Sequence, residues 1–414
     1  MPFDSIINAD ARSISKLINT PCVTTTITSP PYFDMKDYGV ANQIGFGQTY
    51  EQYLSDIQNV FQQVYDITLP NGSLWIVIDT FKQNNRVVAL PFDVVRKLEE
   101  IGWNLQDIII WKKDRTVPWS SKGFVQRKFE YILFFSKTSE FKYYQNRVRN
   151  CNLKEMKQWW VKYPERYSPY GKAIDEVWNF SIPVQGSWGK KYIRHFCPLP
   201  SAMIEQMINL STDESDIVFD PFTGSGAVIS QAAFMKRAYI GIELNPDFIH
   251  SAQLYLRDNI DEQKEKYEKS KKIEFNKDYF DTIINLRILK YAKILIAQLK
   301  KELNIPHLSI YCDRLNFSKL KYKHVIAEFR IISESTNTKK ISSLLETIIN
   351  KPPLSKFGIE PVIHIISNFD FSNVYYYHPN KPYHFVSKIS DCNNISMEDY
   401  IFSPIKCEYI IPEI

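Results

Sequence analysis

Apolar and polar positions along the chain fall into two textures. Over residues 1–138, apolar or β-branched runs alternate with stretches of helical spacing. Thr24-Thr25-Thr26-Ile27-Thr28 is β-branched and predicts a strand that stops at Ser29-Pro30-Pro31-Tyr32, because proline brings no amide to a strand ladder. Tyr53, Leu54, Ile57, Val60, Phe61 and Val64 recur at helical spacing and predict a helix over 49–65. A turn at Asn71-Gly72 then precedes a buried strand, Ser73–Ile78, and a helix over 88–101 precedes strands near 106–111 and 129–135. Short loops join these elements, as in a layered α/β domain.

From about 138 to 195 this regularity is lost. It resumes near 199 with a helix to 210 and a strand, Asp216–Phe219. A glycine-rich turn, Asp220-Pro221-Phe222-Thr223-Gly224-Ser225-Gly226, leads into another helix. The strand Ala238–Glu243 ends in Leu244-Asn245-Pro246, where a further helix begins. Residues 261–278 are a Lys- and Glu-rich run that suits a linker or a solvated helix extension. Ile283, Leu286, Leu289, Ala292, Ile296 and Leu299 mark an amphipathic helix over 280–303. The tail to 414 reads as mixed strand and helix.

Composition bounds the class. A chain of 414 residues with 44% hydrophobic residues is ordinary for a folded protein. It shows no apolar run long enough to span a membrane and no evident secretory signal. Six scattered cysteines with no C-x-x-C spacing suggest neither a disulfide framework nor a zinc site, so no metal and a cytoplasmic location are expected. The net charge of +5 is unevenly placed. Residues 141–195 hold eleven Lys and Arg against four Asp and Glu, whereas the rest of the chain has 40 basic and 42 acidic side chains. The same segment is crowded with aromatics, among them Trp159, Trp160, Tyr167, Tyr170 and Trp178.

The glycine-rich turn carries chemistry. Glycines let the backbone approach a ligand closely, and the helix that follows offers free N–H groups. Glu243, at the end of the next strand, can accept hydrogen bonds from both hydroxyls of a ribose. The spacing is shorter than G-x-G-x-x-G and no G-K-[ST] is present. S-adenosylmethionine, which carries no phosphate, therefore fits better than a dinucleotide or a nucleoside triphosphate. A second motif, Thr28-Ser29-Pro30-Pro31-Tyr32, sets a rigid turn at the strand edge where open α/β sheets place ligands.

These motifs together resemble those of bacterial amino-methylating DNA methyltransferases. Thr28–Tyr32, Asp37-Tyr38-Gly39, Gln43-Ile44-Gly45 and Tyr53 are similar to the opening of that family. Asp220–Gly226 and Gly241-Ile242-Glu243-Leu244-Asn245 resemble its cofactor motifs. The resemblance covers about residues 5–257. The catalytic motif precedes the cofactor motif, which is the permuted order of the β class. Serine at the head of the tetrapeptide is what cytosine-N4 enzymes usually carry, whereas adenine-N6 enzymes usually carry Asp or Asn. The turn departs from the family's usual Gly-Thr at Gly226-Ala227.

The resemblance implies a Rossmann-like, S-adenosylmethionine-dependent methyltransferase: a doubly wound, mostly parallel sheet, a basic target-recognition insert and a C-terminal accessory α+β domain. The expected divisions are a catalytic half at 1–138, the insert at 139–194, a cofactor-binding half at 195–260, a charged linker at 261–278 and an accessory domain of unassigned role at 279–414. Ser29, Pro30, Pro31 and Tyr32 are the expected catalytic residues. Ser29 Oγ and the Pro30 carbonyl would accept hydrogen bonds from the target amine, and Tyr32 would stack on a flipped base. Asp10, Thr28, His195, Pro200, Asp220, Pro221, Phe222, Gly224, Ser225, Gly226, Glu243, Leu244 and Asn245 are the expected cofactor contacts, although Asp10 fits a helix N-cap equally well. Arg147, Arg149, Lys154, Lys157, Lys190, Lys191 and Arg194 are the candidates for DNA phosphates. Double-stranded DNA is the expected partner, with a cognate restriction endonuclease acting at the same site. The expected reaction is methylation of cytosine N4. Adenine N6 is the alternative; an RNA methyltransferase, a fused methylase-nuclease and a non-catalytic DNA-binding protein are further ones.

Overall fold

A computed structural model of the chain describes residues 3–114, 125, 127–152, 162–182, 198–271, 277–303, 308–316, 325–333, 338–352, 354–357, 359–367, 374–378 and 381–386. They form two compact units, one of residues 1–149 and 173–274, the other of residues 150–172 and 275–414.

The first unit is built on one sheet. Its strands are β1 (Ser5–Asn8), β2 (Val23–Thr28), β3 (Thr68–Ile78), β6 (Asn104–Lys112), β7 (Phe129–Ser136), β8 (Val177–Asn179), β9 (Ile217–Asp220) and β10 (Ala238–Glu243); a small hairpin, β4 (Phe81–Gln83) and β5 (Arg86–Val88), stands apart. The order across the sheet is β1-β10-β9-β2-β3-β7-β6-β8. Every neighbouring pair is parallel except the two made by β7, which runs against β3 and β6. This is the doubly wound, mostly parallel sheet expected. The anticipated turn at Asn71-Gly72 is absorbed within β3 as a register shift: Val23 faces Thr68, yet Thr25 faces Ser73.

Helices cover both faces, so the central strands are apolar on both. Leu74, Ile76 and Ile78 of β3 point into one core with α1 (Ile14–Leu17), α2 (Tyr50–Ile67) and α3 (Leu90–Ile101). Their neighbours Trp75 and Val77 point into the other, with α4 (Ser201–Ser211) and α5 (Ala227–Phe234). α2 starts where Thr49 and Gln52 form a reciprocal capping box, and α3 ends at Gly102 with φ of 114°.

α6 (Pro246–Lys271) continues into the anticipated linker as a helix extension as far as Lys271, and its Tyr267 hydroxyl accepts a 2.6 Å hydrogen bond from buried Arg237. The region expected as one insert, 139–194, is divided between the units. Residues 173–182 return to the first unit, where β8 extends the sheet beside β6 and Trp178 is buried in its core.

The middle of that region belongs to the second unit. There α7 (Lys277–Leu303) packs Tyr279, Ile283 and Leu286 against Cys151 and Tyr167. Arg287 donates to the carbonyls of Pro164, Phe357 and Tyr167, and Lys290 bridges to Glu165 at 3.0 Å. A second sheet of β11 (Leu308–Asn316), β12 (Val325–Ser333), β13 (Ile359–Ser367), β14 (Val374–His378) and β15 (Lys381–Val386) follows, with α8 (Thr338–Ile349) between β12 and β13. Only its β12–β13 pair is parallel. No helix among the described residues is long and apolar enough to cross a membrane.

Candidate active site

The parallel strands of the first unit end on one edge, and a cavity of about 230 Å³ opens there. β2 delivers Thr28 and the tetrapeptide, β9 delivers Asp220 and the glycine-rich turn, and β10 delivers Glu243. Because β9 lies directly between β10 and β2, the two motifs meet although 192 residues separate them: the Thr28 hydroxyl donates to Asp220 Oδ1 at 2.7 Å.

The tetrapeptide is held from both sides. Buried Tyr53 on α2 donates its hydroxyl to the Pro31 carbonyl at 2.7 Å. The Pro30 carbonyl and Ser29 Oγ sit in the stretch that lines the cavity. The Tyr32 hydroxyl lies 3.2 Å from Ser29 Oγ and 3.1 Å from Glu130 Oε2. Burial and the neighbouring Glu130 raise the Tyr32 phenol well above its ordinary range, so it stays protonated. Phe33 follows with φ of 54°, a conformation costing about 1–2 kcal/mol in a side-chain-bearing residue. Gly45 makes room for it, since a Cβ there would lie 2.5 Å from the Phe33 carbonyl oxygen.

On the other side, the Glu243 carboxylate accepts from Gly224 N at 2.7 Å and Asn245 N at 2.8 Å, one bond per oxygen. A carboxylate has about four acceptor sites, so capacity remains for ligand hydroxyls. Gly226 caps α5 with φ of 83°, and a Cβ there would lie 2.6 Å from Ala252 Cβ. Asp220 is 3% exposed, and burial with Glu243 nearby lifts its pKa to about 7 against the hydrogen bonds from Thr28 and Phe222 N. Glu243 is likewise raised, chiefly by burial. Asp10 both caps the turn after β1 and pairs with Arg12 at 2.7 Å. Its pKa is lowered: burial opposes the shift, and the hydrogen bonds and charge of Arg12 outweigh it.

The expected residues therefore sort by position. Asp10, Ser29, Pro30, Pro31 and Tyr32 line the cavity, as do Asp220, Pro221, Phe222, Gly224, Ser225, Glu243 and Leu244. Thr28, Gly226 and Asn245 stand behind that lining and shape it. Pro200 is buried at the start of α4, where its carbonyl accepts from Met203 and Ile204; the neighbouring Pro198 and Leu199 reach the cavity. His195, Lys154, Lys157, Lys190, Lys191 and Arg194 lie outside the described residues. Arg147, expected to meet DNA, is engaged at the surface within the first unit: it stacks on Tyr144 at 3.6 Å and pairs with Asp213 at 2.6 Å, its side chain 32% exposed. Arg149 donates to Asn146 and Gln145.

Sequence reasoning missed Trp111, Lys113 and Glu130 in the cavity wall. The signal for Glu130 was a carboxylate opening an otherwise apolar strand, Phe129–Ser136.

The family model for N6/N4 DNA methylases, described as "DNA methylase", matches residues 23–254. The chain belongs to the N6/N4 DNA methylase family. Its relatives include the type II methyltransferase M.Cfr9I of Citrobacter freundii, 27% identical over 278 residues that span 60% of this methylase and 86% of the relative. Type II methyltransferase M.SmaI of Serratia marcescens is 27% identical over 281 residues, spanning 60% and 89%. Among solved structures, the cytosine-N4-specific PvuII DNA methyltransferase is similar with a TM-score of 0.49 and 18% identity, covering 68% of this methylase and 92% of that chain. A DNA modification methylase of Thermus thermophilus gives 0.45 and 21%, covering 62% and 95%. By its family, the methylase is a DNA methyltransferase of the S-adenosylmethionine-dependent kind. Its cavity suits that cofactor: Glu243, which accepts only backbone hydrogen bonds, and Asp220 line it beside the glycine-rich turn, where ribose hydroxyls and a cationic group would find acceptors.

Proposed function

We propose that this methylase methylates the exocyclic N4 of cytosine in a short duplex DNA site, within a restriction-modification system whose endonuclease cuts the same site. The observation that carries the reading is the joining of Ser29–Tyr32 to the glycine-rich turn across the Thr28–Asp220 hydrogen bond, in one cavity. Ser29 supports cytosine over adenine. S-adenosylmethionine supplies the methyl group from its sulfonium. Glu243 would hold the ribose, Phe222 the adenine, and Asp220 the cationic end.

The chain's own residues then do little covalent work. An exocyclic amine is a poor nucleophile while its lone pair is delocalised into the ring. Accepting its two N–H bonds at Ser29 Oγ and the Pro30 carbonyl favours a pyramidal nitrogen with the lone pair aimed out of the plane. Tyr53 occupies the Pro31 carbonyl, so Pro30 supplies the free acceptor. Such a pocket cannot reach a base within the stack, so the base must flip out.

DNA contact is shared with the second unit. It holds 23 Lys and Arg against 16 Asp and Glu, while the first unit holds 28 against 30. An excess of cations suits a phosphate backbone. The decisive experiment is modified-base sequencing and nucleoside mass analysis of DNA from cells expressing the protein. N4-methylcytosine at one short sequence is expected; N6-methyladenine alone refutes the base assignment.

A further inference from the structure

Four polar side chains form a continuous line along one wall of the cavity. Ser29 Oγ meets the Tyr32 hydroxyl at 3.2 Å, that hydroxyl meets Glu130 Oε2 at 3.1 Å, and the Lys113 ammonium donates to Glu130 Oε1. The ion pair is largely buried, with side-chain exposures of 17% for Lys113 and 12% for Glu130. The ammonium also lies 5.0 Å from the centre of the Trp111 ring, itself part of the wall. The scaffold is fixed: Lys113 follows β6, Glu130 is the second residue of β7, and Lys113 N donates to the Lys128 carbonyl at 2.8 Å.

Taking two charges out of water is costly, and apolar side chains of similar volume hold a fold as well or better. A pair kept at the wall of a reactive cavity calls for another reason. An ammonium has three donors, and Glu130 takes one. Along the edge that carries its amine, cytosine presents the amine, then N3, then O2, so two acceptors follow one donor. Adenine presents its amine, one ring nitrogen and a C–H.

We propose that Lys113 reads the target base by donating to the N3 and O2 acceptors of a cytosine whose amine rests on Ser29 and Pro30. Glu130 is the positioning residue that holds both the ammonium and the Tyr32 ring. The inference rests on the cytosine reading above and adds the group that enforces it. With adenine, the ring nitrogen beside the amine can still accept, but a C–H takes the place of the second acceptor, so one buried ammonium donor loses its partner, which translates into a selectivity of about tenfold or more.

The test uses the full-length chain, labelled S-adenosylmethionine and unmethylated genomic DNA, with the products separated as nucleosides. The variants are Lys113→Met, Lys113→Arg and the double variant K113M/E130Q, which removes both charges and leaves no lone ion behind. At saturating cofactor, Lys113→Met and the double variant should form N4-methylcytosine at least tenfold more slowly. The N6-methyladenine fraction should rise, and the cofactor dissociation constant should stay within twofold. Lys113→Arg, still a cationic donor, should retain more activity than Lys113→Met. Unchanged rate and product ratio overturn the proposal, as does a loss of transfer matched by an equal loss of cofactor binding. Wild-type protein that makes N6-methyladenine alone overturns the cytosine reading and this one together; the other two results overturn this one only.

Discussion

Asp220 is poised to make cofactor affinity depend on pH. Its carboxyl is buried beneath the cavity, faces Glu243 across the turn, and has a pKa of about 7 in place of 3.8. The direction follows from the raised value. The folded state holds this proton more tightly than the unfolded state does. Its contribution to stability is complete below pH 3.8 and drains away as pH rises to about 7, a difference of roughly 4 kcal/mol. A cationic ligand reverses the preference, because it favours the carboxylate. About a tenth of the sites are ionised at pH 6 and about nine-tenths at pH 8. A ligand selective for the ionised form therefore binds about tenfold more tightly at pH 8 than at pH 6. The assay is calorimetric titration of S-adenosylmethionine into the DNA-free protein across pH 5.5–8.5, for wild type and Asp220→Asn. The asparagine still accepts from Thr28 and cannot ionise. The ligand's own amine titrates equally in both proteins, so the difference in slope belongs to Asp220. The variant should also melt progressively higher than wild type as pH rises from 4 to 8. Equal slopes in the two proteins would refute the reasoning.

Other expected outcomes follow from the same geometry. Ser29→Ala should lower the rate of methyl transfer on the order of 100-fold and leave the cofactor dissociation constant, read by calorimetry, unchanged. Gly226→Ala should destabilise the protein by at least about 1–2 kcal/mol in denaturant unfolding, since φ there is 83° and the new Cβ meets Ala252. Burial alone would raise the Asp213 pKa, yet hydrogen bonds from Arg147, Tyr144 and Lys142 hold it well below the usual carboxylate range. The stability this pairing confers is present above pH 3.8 and lost in acid. Arg147→Ala should therefore cost about 1 kcal/mol near neutral pH, discounted for solvent screening, and less toward pH 3. Its DNA affinity in a filter-binding titration should change by less than twofold, because the Asp213 carboxylate already neutralises the guanidinium.

Much of the first unit was legible because its signals are local. Two prolines must end β2, and a glycine-rich turn between a strand and a helix is visible as a string. The apolar runs of β3 and β7 read as strands covered on both faces. What escaped was long-range. No spacing rule brings Thr28 to Asp220; the sheet order does, by seating β9 beside β2. Lys113, just past the end of β6, and Glu130 on β7 meet only because those two antiparallel strands pair. The basic, aromatic region looked like one insert because composition is blind to which surface each ring covers. Phe141 and Trp178 serve the catalytic core, whereas Tyr167 and Tyr170 meet α7. Arg147 read as a free cation because its partner, Asp213, lies far along the chain.

The sharing of residues 150–172 with the C-terminal unit sets a schedule for synthesis. Tyr167 and Cys151 lie against α7, which begins at Lys277. At about 5–20 residues per second, roughly 5–20 s pass between the emergence of this segment and that of the helix that covers it. Throughout that interval Tyr167 and Tyr170 lack the cover that this helix gives them, while most of the catalytic sheet is already available to fold. A chain ended near residue 274 would keep the whole catalytic sheet and never close this interval. Its hazard would be aggregation during production, with the chemistry of the cavity left intact.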